Sequence, residues 1–265
     1  VRFGVRCDFL NFFEDIREVE LAFFNVQEFL KLRIGDILKE VKGRGLEVVT
    51  IHAPNAKIHR VEEFEIVIER CCNLANKLDC DTVVLHPCFL RKKFDREGAI
   101  RVLDEEITSI LENYRVTLCW ETFINENRLF RNPYEIYRFC VERDFYGMCY
   151  DFSHIPDDQN YVIKQIREFR NHIFVYHISN RERANKTAGK PLNHIPIFDE
   201  KGVLDFRKIL NTNLINPASS LILEYRNEFS EKLREDLKLL KDNFNRKKWI
   251  YETVLTKTSG SVEHR

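Results

Sequence analysis

Glycine and methionine are scarce, with 9 Gly and one Met in 265 residues. Beside abundant Lys, Arg and Glu, that scarcity leans toward a heat-adapted source. A charge surplus of either sign is missing, since 42 Lys+Arg face 42 Asp+Glu. A dedicated nucleic-acid binder carries a basic excess, so the balance weighs against that role while leaving room for a local patch. No apolar run approaches the roughly 20 residues that span a bilayer. The opening VRFGVRCDFL reads as a strand and lacks the layout of a signal peptide. A cytoplasmic protein without a membrane partner is the expectation. CxxC spacing is absent from the 8 cysteines; Cys71 and Cys72 are adjacent, and Cys7, Cys119 and Cys149 fall in strand-like runs. Buried reduced thiols are expected, not a disulfide framework.

What is present is an alternation. Short β-rich runs lie at 2–7, 18–24, 47–53, 81–87, 115–121, 147–153, 173–179 and 220–226, and most are nearly continuous apolar stretches. Strands buried on both faces of a parallel sheet have that appearance. Helical patterns separate them, such as VEEFEIVIERCCNLANKL (61–78) and NPYEIYRFCVERD (132–144), the latter opening on a capping Asn132 followed by Pro133. Eight strands alternating with helices predict an α/β fold, a single (β/α)8 barrel over residues 1–256, which at about 250 residues uses nearly the whole chain. The first helix, near 10–16, is short for its role, and the long segment 180–219 has room for an extra loop or small helix. Residues 257–265, KTSGSVEHR, read as a disordered tail.

Parallel barrels place their active sites at the C-terminal strand ends. His52, His86, Glu121, Asp151 with His154, His177 and Glu224 all fall at that end of their runs, and His194 lies in the loop before the last strand. One His beside an apolar run is usually a core residue or a cap, but so many with the same placement predict a shared metal centre. Imidazole with carboxylate suits Zn, Mn, Fe or Co, whereas Mg or Ca favours all-oxygen sets. The expected cofactor is one or two divalent ions, Zn or Mn. Asp151 and His154, three apart in CYDFSHI, also suit a local Asx-turn.

The segments IHAPN, VVLHPC, LCWETF, YDFSHI, YHISN, NHIP and LILEYR resemble, in order, the motifs of the xylose isomerase-like barrel superfamily. That superfamily includes sugar isomerases and epimerases and the AP endonuclease family 2, of the endonuclease IV type. The resemblance implies that Glu121, Asp151, His177 and Glu224 hold one divalent metal. It implies that His52 and His86, bridged by Glu121, match the ligands of a second metal in the endonucleases. His154 and His194 match two of three ligands of a third, whose remaining Asp is replaced here by Leu192.

Two activities follow from the resemblance. A sugar or sugar-phosphate isomerase or epimerase would use Glu121 and Glu224 as proton carriers, His154 on a hydroxyl, and a metal to stabilise an enediolate. A two-metal phosphodiesterase or AP endonuclease would use His52 and His86 as well. Asn55 where the endonucleases have Tyr, ETFINEN in place of their Gly-containing run, and Leu192 make the first reading the stronger, with nucleic acid as a less favoured partner. A non-enzymatic binding barrel is the third reading. Basic loops at 91–96, 128–131 and 181–190 suit capture of an anion, with Arg181, Arg183 and Trp120 as substrate-binding candidates. Phe9, Phe12, Phe13, Phe23, Phe24, Phe89 and Phe123 are expected near the mouth, where they wall off water, stack on a sugar, or pack in a homo-oligomer.

Overall fold

The computed structural model describes residues 1–90, 95–155, 158–182, 192–210, 214–242 and 244. The expected tail at 257–265 lies outside them. All eight apolar runs are strands: β1 (Arg2–Asp8), β2 (Glu18–Ala22), β3 (Glu47–His52), β4 (Thr82–Leu85), β5 (Thr117–Glu121), β6 (Tyr146–Asp151), β7 (Ile173–Ile178) and β10 (Ser220–Leu223). They pair in parallel in chain order, and β10 returns to β1 with Ser220 beside Arg2, closing a (β/α)8 barrel. Between β7 and β10 an antiparallel pair, β8 (Asn180–Arg181) and β9 (Asn193–Ile195), and a short helix (Phe206–Leu210) fill part of the long segment.

The helices are amphipathic and lay one apolar face on the barrel. The helix Val61–Lys77 buries Phe64, Val67, Ile68, Cys71, Cys72, Leu74 and Ala75, a stripe at helical spacing that takes both adjacent cysteines inward. The helix Pro133–Val141 starts where expected, with Asn132 Oδ1 accepting the Glu135 N–H at 3.2 Å. The helix expected near 10–16 is absent. The chain there turns through Leu10 in the left-handed region (φ 78°), and Phe9 and Phe12 pack edge to face, so local aromatic contacts replace a helical turn.

Inside the barrel the side chains form layers. Val49, Val84, Cys119, Cys149, Val175 and Ile222, one from each of six strands, make an apolar layer with Phe174 against it. Gly147 leaves room for that ring: a Cβ there would sit 2.4 Å from Phe174 Cδ2. Above this layer, toward the strand C-termini, the interior becomes polar. All 8 cysteines are buried and unpaired. Among the described residues no helix is long and apolar enough to cross a membrane.

Candidate metal centre

The polar layer is built by strand periodicity. On β5, Glu121 follows outward-facing Trp120 and so points inward, as does Asp151 at the end of β6, paired in register with His177 on β7. His52 ends β3, and His86 and Glu224 come directly after β4 and β10. Glu121 is the hub. Its Oε2 lies 3.0 Å from His52 Nε2, 3.1 Å from His86 Nε2 and 3.4 Å from His177 Nδ1, and its Oε1 lies 3.1 Å from His154 Nδ1. His154 Nδ1 is also 3.1 Å from Asp151 Oδ2, and His177 Nδ1 is 3.1 Å from Glu224 Oε2.

Asp151 has two tasks. Its Oδ1 accepts the Ser153 N–H at 2.6 Å and caps the turn that carries His154, while its Oδ2 faces the centre. The Asx-turn and the ligand-like placement therefore coexist in one carboxylate.

The donor set fits a divalent cation. Glu121, Asp151 and His177 are fully buried (0% exposed), yet Glu121 Oε1, Asp151 Oδ2, Glu224 Oε2, His154 Nδ1 and His177 Nδ1 form no directed hydrogen bond. Buried polar atoms that converge without partners are costly unless a cation satisfies them. Three groups bring potential ligand atoms within 4.8 Å of one another: His52–His86–Glu121, Asp151–His177–Glu224 and Asp151–His154–His194. A fourth, Glu121–Cys149–His177, is a poor one, because burial pushes the Cys149 thiol well up and keeps it protonated.

The electrostatics agree. Burial lowers the His52 pKa to about 4, helped by Arg6, so the ring is neutral. With its proton on Nδ1, donated to Ala53 O at 3.1 Å, the Nε2 lone pair faces the Glu121 carboxylate. Burial opposes charge on Glu121 as well, but the surrounding imidazoles of His86, His154, His177 and His52 hold its pKa well below the usual carboxylate range. His154 moves the other way. Against the effect of burial, Asp151 and Glu121 push it up to about 9, so without a cation a proton occupies that position.

Beneath the ligand-like atoms lies a supporting network. Glu20, mid-strand on β2 and fully buried, accepts from Thr50 Oγ1 at 2.6 Å and contacts His177 Nε2 at 3.0 Å. Arg6 on β1 ion-pairs with Glu224 at 2.5 Å and lies 3.8 Å from Glu20. Glu20 and Arg6 were not among the expected site residues. The only sequence signal for either was a charge within an apolar strand.

Residues 11–243 match the family model described as a xylose isomerase-like TIM barrel. The chain belongs to that family. Solved structures similar to it include a D-tagatose 3-epimerase-like protein (17% identity, 93% of this chain and 99% of that chain, TM-score 0.66). Another is an IOLI protein with a bound zinc atom (15% identity, 91% and 96%, TM-score 0.65). A third is 3-keto-D-glucoside 4-epimerase from E. coli (12% identity, 91% and 99%, TM-score 0.66). No curated protein matches the chain.

Within this member of the family, the expected residues His52, His86, Glu121, Asp151, His154, His177, His194 and Glu224 do converge. His194, with left-handed φ of 57°, reaches in from β9 and lies 3.1 Å from Ser179 Oγ and 3.8 Å from Glu224. The substrate-binding candidates fare differently. Trp120 is fully buried against Phe130, on the helix side of β5, because the residue beside an inward Glu121 must face outward; contrary to expectation it is out of reach of a substrate. Arg181 is half-buried on β8 and does not line the central cavity. Arg183 lies outside the described residues. Of the seven Phe rings, Phe24, Phe89 and Phe123 line the cavity, whereas Phe9 and Phe23 pack on each other and Phe23 on Phe29.

Proposed function

We propose that the protein is a divalent-metal-dependent isomerase or epimerase acting on a sugar or sugar phosphate. The observation that carries this reading is the convergence of Asp151, His177 and Glu224 with Glu121 at the barrel mouth, with buried oxygens left without hydrogen-bond partners. These four residues would hold one ion. When bound, the ion supplies positive charge that polarises a substrate carbonyl and its neighbouring hydroxyl. The family relationship and the epimerases among similar folds support the substrate class.

The remaining chemistry belongs to the chain. Moving a proton between carbons beside a carbonyl needs one group to take it and another to return it. Glu121 and Glu224 come from strands three apart around the barrel, on β5 and just after β10, and suit those roles on two sides of a substrate. Arg6 holds Glu224 ionised against the cost of burial, so this carboxylate starts as an acceptor. His154, stacked on Phe123 at 4.0 Å, is positioned to hold a substrate hydroxyl, and Phe24, Phe89 and Phe123 restrict water.

A second reading, two-metal phosphodiester hydrolysis, is favoured by the separate His52–His86–Glu121 group. Metal content by elemental analysis, followed by ketose incubation in deuterated water, tests both. One exchangeable Mn, Co or Mg, with deuterium entering the substrate beside its carbonyl and lost in Glu121→Gln and Glu224→Gln, supports the isomerase. Two tightly held Zn, phosphodiester cleavage and no exchange would overturn it. His52→Ala with His86→Ala abolishes a two-metal hydrolase and leaves a one-metal isomerase partly active.

A further inference from the structure

The central cavity, about 780 Å³, separates charge by depth. Its lining carboxylates, Glu121 and Glu224, sit at the floor and face imidazoles. Arg6, also at the floor, is neutralised by Glu224 and Glu20. The wall is different. There Arg128, in the loop after β5, lies over two aromatic rings, its guanidinium carbon 3.9 Å from the Phe123 centroid and 4.3 Å from that of Phe89. Nη1 donates to Pro87 O at 2.7 Å, and Nε is buried without a hydrogen-bond partner. Among the described residues no carboxylate forms an ion pair with it. An arginine clamped in one orientation, on the wall of a cavity and in no close ion pair, is pre-organised to receive an anion.

Its distance from the centre is informative. Phe123 contacts Arg128 on one side and stacks on His154 on the other, at 3.9 and 4.0 Å. The guanidinium carbon is therefore no more than 8 Å from the His154 ring. A short carbon chain with its carbonyl at the floor reaches that far. Lys57, exposed on the same cavity lining, adds a second positive charge.

Resting on the sugar reading above, we propose that Arg128 is the specificity-determining residue of this cavity. The substrate class is an anionic sugar, with a phosphate or carboxylate at the end remote from its carbonyl. Both groups offer paired oxygens to a guanidinium, and the rings of Phe89 and Phe123 hold that guanidinium against solvent competition.

Calorimetry on the Mn²⁺-loaded protein tests this with D-ribulose, D-ribulose 5-phosphate, D-fructuronate and inorganic phosphate. At low salt one of the two acidic sugars binds about 10–100-fold more tightly than D-ribulose, the range of a charged hydrogen bond. Which one does so separates phosphate from carboxylate recognition. In Arg128→Gln the ratio collapses, and Arg128→Lys recovers part of it. The preference in the unmodified protein also shrinks as salt rises, a readout that needs no variant. Equal affinity for D-ribulose and both acidic sugars overturns the proposal, as does a preference that survives Arg128→Gln. If no sugar binds, the reading beneath has failed. In that case phosphate binding lost in Arg128→Gln retains the anion subsite, and phosphate binding indifferent to the change removes it too.

Discussion

Glu20 sets the state of His177. By accepting from Nε2 it fixes the ring so that Nδ1 faces Glu121 and Glu224. Such a partner typically controls ligand orientation and basicity. Glu20→Gln is expected to weaken divalent-metal affinity about 10–100-fold, measured by competition with a chromophoric chelator. Thr50 and Arg6 stay in place as the remaining contacts of that position. A second residue-scale prediction concerns protons. His154 is raised to about 9, so in the metal-free protein it is an imidazolium at neutral pH. Its proton stabilises the metal-free fold fully below the unfolded value near 6.5, and that contribution is lost as pH rises through about 9. A cation competes with that proton for Glu121 and Asp151, each 3.1 Å from His154 Nδ1. Metal affinity is therefore expected to climb with pH up to about 9 and then level, with proton release visible as a buffer-dependent calorimetric heat. Affinity flat between pH 6 and 9 would remove His154 from the centre.

At the scale of elements, the ladders are not uniform. The β2–β3 register steps from Val48 to Thr50, and the β6–β7 register from Ile173 to Val175, so Val49 and Phe174 are unmatched. A bulge turns neighbouring residues toward one side, which is how Phe174 and Val175 both reach the apolar layer. Gly147→Ala places a methyl group in the Phe174 ring and is expected to cost about 1–3 kcal/mol, read from chemical denaturation. These bulges also mark where sequence reading stops. The eight strands were legible because apolar runs with β-branched residues need no partner to be recognised, and the strand-end His, Asp and Glu because their position follows from the strand. Glu20 was not, since its inward aim depends on the register at the bulge. Nor was Arg128 distinguishable from Arg181: both sit in basic loops, and only the path of the chain puts one on the cavity wall and the other on the hairpin. Trp120 shows the same pleat from the other side, its neighbour's inward direction dictating its own burial.

For the whole molecule, the barrel carries a cost at its centre. Glu20, Glu121, Asp151 and Glu224 crowd into one polar layer, offset by Arg6 and the imidazoles. Anything that binds this arrangement only when folded stabilises it by mass action, about 2.7 kcal/mol at a hundred times Kd. Removing metal with a chelator is thus expected to lower Tm, and restoring it to raise Tm with concentration; a Tm indifferent to both would argue against a metal at this site. The floor carboxylates and the wall arginine carry opposite charge, although the chain as a whole is neutral.

The four residues that would hold an ion belong to β5, β6 and β7 or directly follow β10, so an ion there would rivet four of eight strands. Closure of the barrel then becomes a property of the site. Backbone amides on those four strands should slow their hydrogen exchange together when metal is added, including pairs far from any ligand, while the outer helices keep their own opening rates.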